Sequence, residues 1–192
     1  GLMHRRLSII DLSEAGAQPM RAPNDTVLTF NGEIYNHVEL RERFAAGGWR
    51  FHSQSDTECI LAAYDELGDA ALDELRGMFA FSFWDPDAKR LTLARDRLGE
   101  RPLYYAETDD GFLLFASEIG ALVASGLLET SLDPRAIADY FYYGYVPDPK
   151  SIYRNIHKLP PAHTLTAERG RAVRVERYWR PVFANGAAPP LE

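Results

Sequence analysis

Apolar residues along the chain change period several times, and each change marks an element. Arg6 to Leu12 is a short apolar and β-branched run closed by Ser13 to Gly16 and Pro19, which predicts a buried strand. Val27 to Phe30 and Ile34-Tyr35 flank Asn31-Gly32. Asn-Gly is the strongest two-residue hairpin signal because both positions accept positive φ, so two strand arms joined at Asn31-Gly32 are expected. Asn36, with Glu39 three residues on, has the spacing of an N-cap and its N3 partner. The helix it opens carries Leu40 and Phe44 on one face and stops at Gly47-Gly48. Ser55 and Glu58 repeat the capping-box spacing ahead of Ile60, Leu61, Tyr64 and Leu67, which predicts a second helix ending at Gly68.

Phe79, Phe81 and Phe83 alternate with smaller residues up to Trp84, the pattern of a strand covered on both faces. Turns at Asp85-Pro86-Asp87 and Asp109-Asp110-Gly111 separate it from Leu91 to Ala94, Leu103 to Tyr105 and Phe112 to Phe115, so an antiparallel meander is expected. Glu118 to Leu122 reads as a short helix. Asp133-Pro134 opens another, with Asp as cap and Pro at the first helical position. Its stripe Tyr140 to Tyr143 is denser than one core face requires. A core helix is the first expectation, and a contact with another domain the second. Pro147, Pro149, Pro160 and Pro161 punctuate an extended segment ending at Tyr178-Trp179, and residues 184–192 are small and Pro-rich like a linker or an added tail. The expected division is therefore a domain over 1–183 and a linker over 184–192.

Composition narrows the function classes. With 192 residues, 46% hydrophobic, the chain suits one domain with a real core. A net charge of −7 repels a phosphate backbone, which argues against nucleic acid as a partner. One cysteine, Cys59, can form no internal disulfide, so a reducing, cytoplasmic setting is expected. No apolar run approaches the roughly 20 residues needed to span a bilayer, so no membrane partner is expected. The histidines, His4, His37, His52, His157 and His163, lack metal-ligand spacing, and no metal site is expected. The phosphate-binding glycine loops and the G-x-S-x-G elbow are absent from the sequence.

What remains is a polar set in the first third: Arg6, Asn31, Gly32, Glu33 and Asp56. Such a set suits a small zwitterion. Arg6 can hold a carboxylate in bidentate fashion, although by local pattern it also reads as an ordinary strand-end charge. Asp56, with Glu33, can accept from an ammonium group, although a carboxylate in a helix's first turn is favoured by the dipole in any case. The Asn31 amide and the Gly32 N–H can face an oxygen that gains charge when an amide carbonyl is attacked. Glycine there would let a substrate approach the backbone closely.

The ordered series R-L-S-I-I-D-L, N-G-E-I-Y-N-H, S-D-T-E, R-D-R-L-G-E-R-P-L-Y-Y and S-E-I-G-A-L resembles the glutaminase domain of glutamine-hydrolysing asparagine synthetases, over Leu2 to Trp179. That family is a class II glutamine amidotransferase with the N-terminal-nucleophile hydrolase fold. The resemblance implies an α+β fold, a four-layer αββα sandwich with two antiparallel sheets, here truncated at the N-terminus. It places the glutamine α-carboxylate on Arg6, its α-amino group on Asp56 and Glu33, the oxyanion hole on Asn31 and Gly32, and the pocket wall on Leu7, Ile9 and Ile10. It implies hydrolysis of glutamine to glutamate and ammonia, which passes to an ATP-dependent synthetase domain of the same parent chain. No cofactor is expected here, since ATP and Mg²⁺ belong with that other domain, whose S-G-G-x-D-S motif this sequence does not contain. A homodimer is left open. The segment from Asp139 to His163 is further similar to the amidotransferases of bacterial exopolysaccharide and exosortase gene clusters.

One departure matters. The family's nucleophile is a cysteine exposed at position one after Met removal, and this sequence begins with Gly1, which has no nucleophilic side chain. Cys59 falls at a packing position after S-D-T-E. The chain as given is therefore expected to be inactive, with a silent glutamine-binding or protein-interaction module as the alternative reading.

Overall fold

The computed structural model describes residues 1–5 and 10–182. In chain order the strands are β1 (Met20–Arg21), β2 (Val27–Ile34), β3 (Gly77–Asp85), β4 (Arg90–Arg95), β5 (Tyr104–Glu107), β6 (Leu113–Ala116), β7 (His157–Lys158), β8 (His163–Glu168) and β9 (Arg174–Arg177). The helices are α1 (His37–Ala46), α2 (Asp56–Leu67), α3 (Ala71–Glu74), α4 (Ile119–Ala124) and α5 (Pro134–Tyr143). Six strands form one antiparallel sheet in the order β1-β2-β3-β4-β8-β9, and three form a second in the order β6-β5-β7.

Three apolar clusters stack these elements into layers. Leu40 and Phe44 of α1 and Ile60, Leu61 and Tyr64 of α2 pack on Leu28, Phe30, Phe79, Phe81 and Phe83 from one face of the large sheet. The opposite face supplies Ala80, Leu93 and Leu165, which meet Tyr105 and Phe115 of the small sheet and Leu103 and Leu159 next to its strands. Ala106 and Ile156 then bury Leu122 of α4 behind the small sheet. The order is helix, sheet, sheet, helix, as expected for a four-layer α+β sandwich. The alternation in β3 produces it: large rings point to the helices and small residues to the other sheet.

The hairpin at Asn31-Gly32 does not form. β2 runs straight through both residues, paired with β3 from Val27 opposite Trp84 to Ile34 opposite Gly77. A turn would break this ladder and expose Phe30, which is buried. Gly32 serves a different need. A Cβ there would lie 2.0 Å from the Met78 carbonyl oxygen, and one on Gly77 would lie 2.1 Å from that of Glu33, so two glycines let the strands close at this end.

The meander is also interrupted. β3 and β4 pair, but β4 pairs next with β8, while β5 and β6 pair in the other sheet. Of the two capping boxes, Ser55 does accept from the Thr57 N–H at 3.3 Å. Glu58 instead accepts from the N–H groups of His52 and Ser53 and from the Ser53 hydroxyl, closing the loop before α2. Asn36 stands at the N-cap of α1 without capping it: its amide donates to the Glu74 carbonyl and accepts from the Arg76 N–H, long-range partners that the local pattern does not contain. At α5, Asp133 caps by accepting from the Arg135 N–H, but the core-helix expectation fails. Only Ala136 of this helix is buried, and Tyr140, Phe141, Tyr142 and Tyr143 are all more than half exposed.

Between β4 and β5 the chain is irregular, and two adjacent side chains satisfy its backbone. Asp96, 1% exposed, accepts from the N–H groups of Phe79, Leu98, Glu100 and Arg101. Arg95 donates to the carbonyls of Arg101, Gly99 and Leu159 and pairs with Asp148 at 3.3 Å. Replacing Asp96 with Ala leaves several shielded donors without an acceptor. The expected loss is about 3–5 kcal/mol, seen as a fall in melting temperature of about 10 °C. Asp96→Asn, which keeps one acceptor oxygen, should lose less. Equal melting temperatures for Asp96→Ala and the parent chain would contradict this role.

Candidate functional site

Of the predicted site residues within the described structure, Asn31, Gly32, Glu33 and Asp56 meet at the end of β2. Asn31 lies opposite Ala80, whose side chain belongs to the layer between the sheets, so Asn31 occupies the same face. Its amide Nδ2 donates to the Ser117 Oγ at 3.3 Å, and Ser117 directly follows β6 of the other sheet. Gly32 is next, lying opposite Phe79. Glu33 is half-buried and opposite Met78.

Asp56 joins them from α2. Its Oδ2 accepts from the Ile34 N–H at 2.9 Å, so the first residue of the helix is fastened two residues beyond Gly32. Burial pushes the Asp56 carboxyl above its ordinary range, while the Ile34 N–H bond and the nearby His37 pull it back. His37 is itself fixed, with Nδ1 2.9 Å from the Ile34 carbonyl oxygen. A desolvated carboxylate of this kind gains more from an incoming ammonium group than an exposed one would.

The first motif is only partly visible. Arg6, Leu7 and Ile9 lie outside the described residues. Ile10 is half-buried in a bend, and its neighbour Asp11 accepts from the Gln54 N–H at 2.7 Å. That bond ties the residue after Ile10 to Gln54, two positions before Asp56. Described residues 10–12 form no strand.

Cys59 is fully buried in the helix-side core, and its Sγ lies 3.4 Å from the His37 carbonyl oxygen. Burial pushes its thiol up to about 12, so it is protonated at neutral pH and inert as a nucleophile. Among the described residues no group of three or more His, Cys, Asp and Glu side chains could hold a metal ion. No helix among them is long and apolar enough to cross a membrane.

Two residues at the site had no chemical signal of their own in the sequence. Ser117 lies 86 positions from Asn31 and reaches it only because the two sheets stack. His37 looks like one dispersed histidine until the α1 start folds back on Ile34.

Comparison with known proteins places this geometry in context. Residues 1–179 match the family described as glutamine amidotransferase domain. The chain is 39% identical over 185 residues to glutamine-hydrolyzing asparagine synthetase 1 of Bacillus subtilis, covering 95% of this chain and 29% of that protein. It is 47% identical over 123 residues to glutamine-hydrolyzing asparagine synthetase B of Escherichia coli, covering 64% of this chain and 22% of that one. Among solved structures, the glutamine phosphoribosylpyrophosphate amidotransferase of B. subtilis is similar with a TM-score of 0.67 and 20% identity, over 93% of this chain and 35% of that chain. This likeness bears out the N-terminal-nucleophile hydrolase fold. The chain spans about 29% of the length of the first of these relatives.

The environment of Asp56 sets a pH test. Its carboxyl is raised in the folded state, so its ionisation costs stability as pH climbs from the ordinary carboxylate range through the folded value. Asp56→Asn removes the charge and keeps an acceptor for the Ile34 N–H. In urea unfolding the variant should match or exceed the parent chain at neutral pH, with the gap closing as pH falls into the carboxylate range. A parent that is more stable at neutral pH, by a margin that widens as pH rises, would contradict a carboxylate penalised by burial.

Proposed function

The chain belongs to the glutamine amidotransferase domain family, and from that premise we propose that it is the glutaminase half of an asparagine-synthetase-like amidotransferase, hydrolysing glutamine to glutamate and ammonia. The observation that carries this reading is the junction of β2 with α2, where Asn31, Gly32 and Glu33 precede the Ile34 N–H that the buried Asp56 carboxylate accepts. Asp56, with Glu33, receives the substrate α-ammonium group. Arg6 pairs with the α-carboxylate, and Leu7, Ile9 and Ile10 wall the aliphatic chain. The side-chain amide of glutamine then reaches the Asn31 amide and the Gly32 N–H, which stabilise the negative charge that develops on its carbonyl oxygen during attack.

The ammonia released goes to an ATP-dependent synthetase domain of the same parent polypeptide, where ATP and Mg²⁺ have their site, and the acceptor is aspartate or another carboxylate. The length of the relatives beyond the matched 29% supports that second half. Cys59 takes no part. Its burial and its protonated thiol leave binding and oxyanion stabilisation, rather than attack, as what these residues contribute.

Two measurements test this. In the full-length gene product, Asn31→Ala should lower kcat for glutamate release by on the order of 10²-fold or more, as for loss of one oxyanion donor. An unchanged kcat removes Asn31 from that role. The 192-residue chain alone should release glutamate from glutamine no faster than a protein-free blank. Turnover that disappears in Cys59→Ser would reassign the nucleophile to Cys59.

A further inference from the structure

Asn31 can stabilise an oxyanion only if its amide plane and its nitrogen face the reacting oxygen. A free asparagine side chain has a broad, roughly two-fold terminal torsion, so some other group must select one setting. The Asn31 Nδ2 has two hydrogens, and one of them is committed to the Ser117 Oγ at 3.3 Å. Accepting from this amide, the hydroxyl restrains the amide plane, and with the nitrogen on the serine's side the second N–H is left to point elsewhere.

Ser117 is well placed to impose this. It is a junction residue between two anchored elements, and neither is part of the sheet that holds Asn31. On one side Ala116 is the last residue of β6, in register with Tyr104 of β5. On the other, α4 begins at Ile119 and is held by Leu122, 3% exposed, in the cluster behind the small sheet. The chain between them is short, so the Ser117 backbone is anchored on both flanks. Asn31 is equally fixed by its ladder with β3. The hydrogen bond therefore joins two rigid layers at the place where one donor has to be aimed.

We propose that Ser117 is a positioning residue of the glutaminase site, which holds the Asn31 amide in the orientation that donates to the oxyanion. This rests on the reading of Asn31 given above. Ser117 touches no reacting atom, and its effect passes wholly through Asn31.

The test is a double-mutant cycle in the full-length gene product, with kcat and KM for glutamine measured separately. Ser117→Ala should lower kcat about five- to tenfold, the scale of one neutral hydrogen bond, with KM for glutamine unchanged and melting temperature lowered by no more than about 4 °C. Ser117→Thr, which restores a hydroxyl, should recover most of kcat. In the Asn31→Ala background, Ser117→Ala should change kcat by less than about twofold, because the group it positions is already gone. An equal loss in both backgrounds identifies a general structural effect and overturns the proposal. A full kcat in Ser117→Ala, alongside a damaged Asn31→Ala, overturns the proposal and leaves the reading of Asn31 intact. An undamaged Asn31→Ala overturns both.

Discussion

Adjacent side chains of opposite hydrogen-bonding character, Arg95 and Asp96, hold the irregular centre of this structure together. A carboxylate only accepts and a guanidinium only donates, so the pair divides the backbone groups of the crossing segments between them. N–H groups of Phe79, Leu98, Glu100 and Arg101 go to Asp96. Carbonyls of Gly99, Arg101 and Leu159 go to Arg95. The segment between β4 and β5, which moves the chain from one sheet to the other, thereby has most of its backbone groups satisfied although it is irregular. The backbone of Asp96 extends the same joint, with its N–H on the Phe79 carbonyl and its carbonyl accepting from Ala162.

This joint lies beside the candidate site. Phe79 is the register partner of Gly32, and Ala80 is that of both Asn31 and Arg95. A row of residues thus crosses three strands, from Asn31 to Ala80 to Arg95, at the end of the sheet where Asp56 also attaches. The end of β2 is held from three directions: by the β3 ladder, by the α2 N-terminus through Asp56, and by the second sheet through Ser117. At Gly32 packing alone accounts for the residue type. The backbone of β3 alone demands glycine there, whatever a substrate requires.

Much of the fold was legible because its signals are local. The Phe79, Phe81 and Phe83 alternation, the stripes Leu40-Phe44 and Ile60-Leu61-Tyr64, and the Ser55 and Asp133 caps each depend on neighbours a few residues away. The failures are long-range in origin. Asn-Gly favours a hairpin only through the local backbone preference of two residues, and an eight-residue ladder with β3 outweighs it. Asn36 and Glu58 have capping spacing, yet stronger partners reach them from Glu74, Arg76, His52 and Ser53. The aromatic stripe of α5 is apolar enough for a core but faces outward.

By itself the sequence determined the family, the α+β class, most elements and the identities of the polar residues, since residue types and their order need no third dimension. Tertiary structure alone decided how those residues meet. Sheet register set Gly32 against the β3 backbone, and the helix start put Asp56 on the Ile34 N–H. Stacking of two sheets brought Ser117 to Asn31 across 86 residues. Contacts of that separation are fixed by which surfaces pack, and no local pattern encodes them.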